Sequence, residues 1–253
     1  MNRKRTKAFV LLSAIFLGIA FVFVLWTAEA KGVNYIEMAC VLEERSPTCV
    51  DSIPEWKMGL AYYDSVLDLE GDTLKALKML LWEFWNVEFA GDGEGSVSMD
   101  AILPLRVLEN RKSGCVGLSF LSLMVSEARN IPLHAVLLPA HVFLRYGSAN
   151  ERNGSVSTDD GFVNLEPNRN GYSYSDEEYR EKYREGKWTG LEFKSLSSSE
   201  FTGLVAFDMG NLYLKSDLQK SLFWYRFADE FFPEYPGIRE NREYAKAKLY
   251  GGQ

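Results

Sequence analysis

Histidine and cysteine are scarce in this chain, with two and three copies among 253 residues. Three cysteines exclude a disulfide-dense miniprotein, and the absence of any C-x-x-C or H-x-x-x-H spacing leaves zinc without a scaffold. Glycine and proline, at 20 and 8 copies, are too few for a collagen-like or Pro-rich low-complexity chain. Positive charge is also in deficit once the first residues are passed. Arg3, Lys4, Arg5 and Lys7 come first, and from Lys31 onward 24 basic residues face 34 acidic ones, a net charge of -10. A surface of that sign repels phosphate backbones and argues against nucleic acid as a partner. What remains is an ordinary globular composition, 47% hydrophobic and 25% charged, sufficient for one large domain or a domain with a small appendage.

The long uncharged run, Ala8 to Trp26, follows the basic stretch MNRKRTK. As a helix it spans roughly 28 Å, about the thickness of a bilayer core. Ala28-Glu29-Ala30 has the small-x-small form of a signal-peptidase site, which suits a cleaved signal peptide, whereas the length of the apolar run suits an uncleaved anchor. In both readings the positive flank stays cytoplasmic, and the remainder is expected to be exported: membrane-anchored and extracytoplasmic, or secreted or periplasmic after cleavage. An oxidising compartment allows Cys40 and Cys49 to form a local bridge; the alternative is two small buried residues.

Residues 31 to 58 read as irregular, with Pro47 and Pro54 as breakers, within an N-terminal extension over 31–69. Asp72 to Trp85 carries apolar residues at helical spacing with Asp72 available as N-cap, and the Gly-rich stretch AGDGEGS closes that block. From Cys115 through Asn130 the circumference is almost wholly apolar, which predicts a buried helix. Pro132 then forces a new element, and LHAVLL, a Pro139-Ala140 kink, HVFLRY, a polar loop and FVNLEP predict strands. Alternation puts His141, Phe143 and Arg145 on one face of the first of these polar-faced strands, and Phe162, Asn164 and Glu166 on one face of the second. Paired as a hairpin, they converge an imidazole, a carboxamide and a carboxylate, with Cys115 at a helix start able to point at them.

Such a convergence has chemical meaning. A thiol becomes a strong nucleophile as a thiolate, which helix N-termini and imidazolium neighbours favour, while a third polar group fixes the imidazole's tautomer and orientation. The Cys115 backbone N–H, with Asn110 or a neighbouring amide, is a candidate oxyanion donor. The stretch VLENRKSGCVGLSFLSLMVSEARNIPL, followed by LPAHVFLRY and FVNLEP, resembles the bacterial transglutaminase-like superfamily. The resemblance implies an α+β, papain-like fold over about residues 70–187, with the cysteine at the start of a core helix packed on an antiparallel sheet. It also implies that Cys115 is the nucleophile, His141 the general base and Glu166 the orienting acid. The family's third position is usually Asp-Pro and here is Glu166-Pro167, so Asn164 stays open as the alternative orienting group. The activity implied is thiol-dependent acyl transfer at the amide of a protein or peptide, needing neither cofactor nor metal. The alternative is a non-catalytic peptide- or protein-binding module on the same fold.

The remaining polar residues receive plainer readings. His134 is an ordinary strand-edge histidine, and Arg145 pairs with an acid rather than binding a substrate carboxylate. Asn153-Gly154-Ser155 matches a glycosylation sequon in a polar loop. Ser175 and Glu178 spell a capping box opening a charged, solvated helix, and residues 188–200 read as a linker. Over 201–253 two helical patterns separated by LKSD carry small residues at Gly210, Ser221 and Ala228, like one tetratricopeptide unit with one further helix. So short an array cannot bury a core alone, so it is expected to dock on or cap the main domain, with its helices a possible surface for a protein partner.

Overall fold

The computed structural model describes residues 34–91, 97–147 and 162–251. The export segment, most of the Gly-rich break and the Asn153 sequon lie outside the described residues. No helix among those described is long and apolar enough to cross a membrane.

The stretch read as irregular is largely helical. Helix α1 (Tyr35–Leu42) begins with two N–H groups, those of Tyr35 and Ile36, that donate to the Glu127 carboxylate at 2.6 and 3.4 Å. That carboxylate satisfies donors which a helix start cannot satisfy internally. Pro54 is no breaker. It opens α2 (Pro54–Glu70) in the first turn, where a missing N–H costs nothing. Cys40 and Cys49 are bridged, with Cα atoms 5.7 Å apart, which ties α1 to the short turn before α2. Closing so short a loop restricts the unfolded chain and contributes about 2–3 kcal/mol.

Asp72 caps α3 (Thr73–Lys78) as expected, its Oδ1 accepting from the N–H groups of Leu74 and Lys75 at 2.9 Å each. A π-helical segment, Met79–Phe84, continues α3 and delivers Trp85 to the core, where it stacks on Trp56. Two short strands, β1 (Glu88–Phe89) and β2 (Lys112–Ser113), pair in parallel on either side of α4 (Met99–Ile102) and α5 (Pro104–Asn110).

Helix α6 (Cys115–Arg129) is the buried centre of the domain. Its first turn lies hard against the chain before it, since a Cβ on Gly117 would come within 2.2 Å of the Ala101 carbonyl oxygen. Asn130 ends the helix in the left-handed conformation at φ 53°, which asparagine tolerates well. Strands β3 (Leu133–Leu138) and β4 (His141–Tyr146) follow as a hairpin whose register pairs Leu138 with His141 around the Pro139-Ala140 turn. Strand β5 (Val163–Leu165) joins β4 in antiparallel fashion with Arg145 opposite Asn164. The buried residues Ala135, Leu137, Val142 and Leu144 share the sheet face against which α6 packs. On the other face Val136, Leu138 and Phe143 form a cluster with Tyr179, from α7 (Asp176–Lys182), and Phe193.

Two readings need correction here. The segment read as a linker contains β6 (Ser195–Leu196), which pairs with the free edge of β3, giving the antiparallel order β5-β4-β3-β6. Phe193 anchors it, buried beside Phe143 with its N–H on the Leu137 carbonyl at 3.0 Å. A short strand with one large apolar anchor leaves no periodicity to read, but a sheet edge supplies its hydrogen bonds. The α7 capping box forms as written, but the helix is not simply solvated, since Tyr179 is fully buried.

The C-terminal region folds as α8 (Ser198–Tyr213), α9 (Leu218–Phe231) and α10 (Pro236–Tyr250). Ser197 with Glu200 makes a second capping box, and Asp217 caps α9. The small residues sit where α8 and α9 touch: a Cβ on Gly210 would lie 2.5 Å from the Tyr225 ring, and Ser221 Oγ donates to the Gly210 carbonyl at 2.9 Å. The architecture is α+β, and these helices belong to the same compact unit as the sheet, which runs from Tyr35 to the end.

Candidate active site

Cys115 is the first residue of α6 and remains partly exposed. The turn before it is braced by Ser113 Oγ, which lies 3.0 Å from the Ala101 carbonyl, and by the Gly114 N–H on the same oxygen at 3.1 Å. His141 opens β4 immediately after the hairpin turn and is buried. Its Nε2 meets Glu166 Oε2 at 2.9 Å, and its ring lines the same cleft as Cys115. Because Nε2 is engaged by the carboxylate, Nδ1 is the nitrogen left for the thiol.

The strand register explains this pairing. With Leu144 opposite Leu165, β5 ends one residue before Glu166, which is thereby delivered toward the start of β4, where its long side chain reaches His141. Glu166 is 1% exposed and otherwise saturated: Tyr179 Oη donates to Oε2 at 3.1 Å, and the Asn168 N–H donates to Oε1 at 3.1 Å.

Electrostatics follow from these contacts. Burial pulls the His141 pKa down, but hydrogen bonds and charge from Cys115 and Glu166 outweigh it and hold the ring up at about 9. Burial would raise Glu166, yet the His141 hydrogen bond and charge, the Asn168 N–H and Lys182 keep its carboxyl below the usual carboxylate range. The Tyr179 hydroxyl is pushed far above its ordinary value by burial and by Glu166, so it stays protonated as a donor. Tyr183, one turn further along the chain, stacks on the imidazole with ring centroids 5.1 Å apart and planes 9° apart.

The other residues singled out from the sequence fall elsewhere. Asn164 does not contact the imidazole; its Oδ1 accepts from Arg145 Nε at 2.8 Å, and its Nδ2 donates to the Tyr174 carbonyl and to Asp176. The register sets it one pleat too far along β5. Arg145 is buried and paired with Asp176 at 2.5 Å, closing a network that fixes α7 to the sheet. Asn110 is exposed at the end of α5 and is not among the residues that line the cleft with Cys115 and His141. His134 is half-buried on β3, with its pKa lowered first by burial.

A cleft of about 630 Å³ exposes Cys115 and His141, with Asn168 and Tyr183 beside them and Asp208 and Tyr235 contributed by the C-terminal helices and their connection. Tyr179 and Tyr183 went unread in the sequence, although two tyrosines four residues apart in a charged helix mark one apolar stripe. Among the described residues no group of three or more His, Cys, Asp or Glu is placed to hold a metal ion.

No curated protein and no solved structure matches the chain. A model of the transglutaminase-like superfamily matches residues 57–202, more than half of the sequence, beginning within α2 and ending inside α8, beyond the segment read as a linker. With a cysteine heading its core helix beside a histidine and a glutamate on an antiparallel sheet, the chain belongs to the transglutaminase-like superfamily.

Proposed function

We propose that the protein is a thiol-dependent hydrolase of peptide amides, with a papain-like arrangement of Cys115, His141 and Glu166. The observation that carries this reading is one cleft lined by both Cys115 and His141, with the His141 ring hydrogen-bonded to a buried carboxylate that also accepts from Tyr179 and the Asn168 N–H. A carboxylate with 1% exposure costs much to desolvate, and a charged imidazole is the partner that offsets it.

In the proposed reaction Cys115 Sγ attacks the amide carbonyl, forming the C–S bond while His141 holds the thiol proton. The oxyanion meets the first-turn N–H groups of α6, including that of Cys115, which have no intrahelical acceptor. Collapse breaks the C–N bond, and the imidazolium returns its proton to the departing amine. Water then attacks the thioester, giving a proton to His141, and the acid leaves as the thiol is restored. An amine in place of water gives cross-linking. The C-terminal helices, whether or not they form a tetratricopeptide-like unit, act as a cap that walls the cleft.

The test is to trap the thioester. After rapid acid quench with a peptide amide substrate, mass spectrometry of the full chain is expected to show acylation confined to Cys115 and absent in Cys115→Ala. A substrate that binds without acylation or product would instead identify a non-catalytic binding module.

We further propose that residues 8–26 direct the protein across a membrane, which places the Cys40–Cys49 bridge in an oxidising compartment. Protease added outside intact spheroplasts is expected to digest the main domain. Digestion only after lysis would reverse the topology.

A further inference from the structure

The cleft wall built by α8 presents Leu204, Phe207, Asp208 and Asn211, positions that recur at helical spacing on one face. Asp208 is the sole carboxylate among the described lining residues. The one ammonium there, Lys187, is drawn to Glu240 at 2.7 Å. Asp208 itself forms no ion pair among the described residues, and the neutral amide of Asn211, three residues along the same helix, lines the cleft with it.

That amide is held from behind. Asn211 Oδ1 accepts from Tyr225 Oη and from Asn241 Nδ2, both at 2.7 Å, so only its NH₂ is left to face Asp208. Tyr225 is fully buried between the helices, which makes the support rigid. The carboxylate is therefore set in one place, beside Leu204, Phe207 and Tyr235, with a single neutral donor and no counter-charge. Burial pushes its carboxyl up to about 7, as an unpaired acid in such surroundings requires. An incoming cation supplies the missing charge, and the acidic chain as a whole raises the local concentration of cations.

We propose that Asp208 is a specificity-determining residue that binds an alkylammonium group, such as a lysine side chain, carried by the substrate next to the amide presented to Cys115. This deepens the acyl-transfer reading and rests on it for the position of the scissile bond. The family match ends at residue 202, so the cation site lies on a part of the chain outside the region that defines the family.

Binding is measured on the full chain carrying Cys115→Ala, so that no chemistry intervenes. The probes are an acetylated alanine-lysine-alanine tripeptide amide and its norleucine counterpart, which has a similar stem without the ammonium. The lysine peptide is expected to bind about tenfold more tightly or better. Asp208→Asn, which keeps the shape and a hydrogen bond to Asn211, is expected to bring it within twofold of the norleucine peptide. Glu230→Gln, an exposed carboxylate on α9, controls for net charge and is expected to change nothing. Equal affinities for the two peptides, a lysine preference that survives Asp208→Asn, or no binding of either peptide at millimolar concentration would each overturn the assignment. Iodoacetamide labelling of Cys115 in the chain with Asp208 intact, with and without His141→Ala, separates the two ideas. A reactive, His141-dependent thiol with no lysine preference removes the cation site and leaves the acyl-transfer reading intact, whereas an inert thiol with a clear preference does the reverse.

Discussion

Replacing His141 with alanine is expected to slow the alkylation of Cys115 by iodoacetamide on the order of 10- to 100-fold at pH 6. The cause lies in where the proton sits. An ordinary thiol with a pKa of about 8.5 is well under 1% thiolate at pH 6. In the wild type the imidazole, held up at about 9, is charged at pH 6, and on the proposed mechanism that charge beside Cys115 favours the reactive form of the thiol. The gain is smaller than the thiolate fraction alone suggests, because a thiolate stabilised by a cation is a weaker nucleophile. Cys40 and Cys49 are bridged and do not react, so the label reports one site. Mass spectrometry of the labelled chain over time checks this, and equal rates in wild type and His141→Ala would refute the proton-sharing pair.

Glu166→Gln carries the second large effect, a fall in turnover on the order of ten- to a thousandfold with the fold retained. Glutamine preserves volume and a carbonyl acceptor but removes the charge that stabilises the imidazolium. The pH profile gives the sharper readout. On the proposed mechanism the departing amine takes a proton from His141, so activity is expected while the ring is protonated and is expected to be lost as pH rises through about 9. Glu166 is one of the two groups that raise that value, so its neutralisation is expected to move the alkaline limb downward, toward the ordinary histidine value. Tyr179→Phe, which removes one donor to the carboxylate, is expected to have a smaller effect on turnover. Asn164→Ala is expected to leave the alkaline limb in place and lower the melting temperature instead, because it breaks the Arg145–Asn164–Asp176 network and strands a buried guanidinium hydrogen bond. A limb that moves with Asn164→Ala and stays put with Glu166→Gln would transfer the positioning role to the carboxamide.

These contrasts show where local information ends. Read as one strand, FVNLEP puts both Asn164 and Glu166 on its polar face, and alternation alone cannot choose between them. The choice belongs to the pairing of β4 with β5, which places Asn164 opposite Arg145 and leaves Glu166, just past the strand end, to reach His141. Because residues 148–161 separate these strands, no tight turn in the sequence imposes that register.

Short-range chemistry was legible from the residues alone. The Asp72 cap, the Ser175 capping box, the Cys115 helix, the break at Pro139-Ala140 and the alternation within each strand all depend on neighbours a few positions apart. The tertiary structure decided what depends on distant partners: the β6 edge strand anchored by Phe193, the burial of Tyr179 behind Glu166, the stacking of Tyr183, and the presence of Asp208 in the cleft. The physical reason is that a hydrogen bond or a desolvated charge takes its energy from whatever the fold brings within a few ångströms, and a residue's own neighbours in sequence carry no record of that.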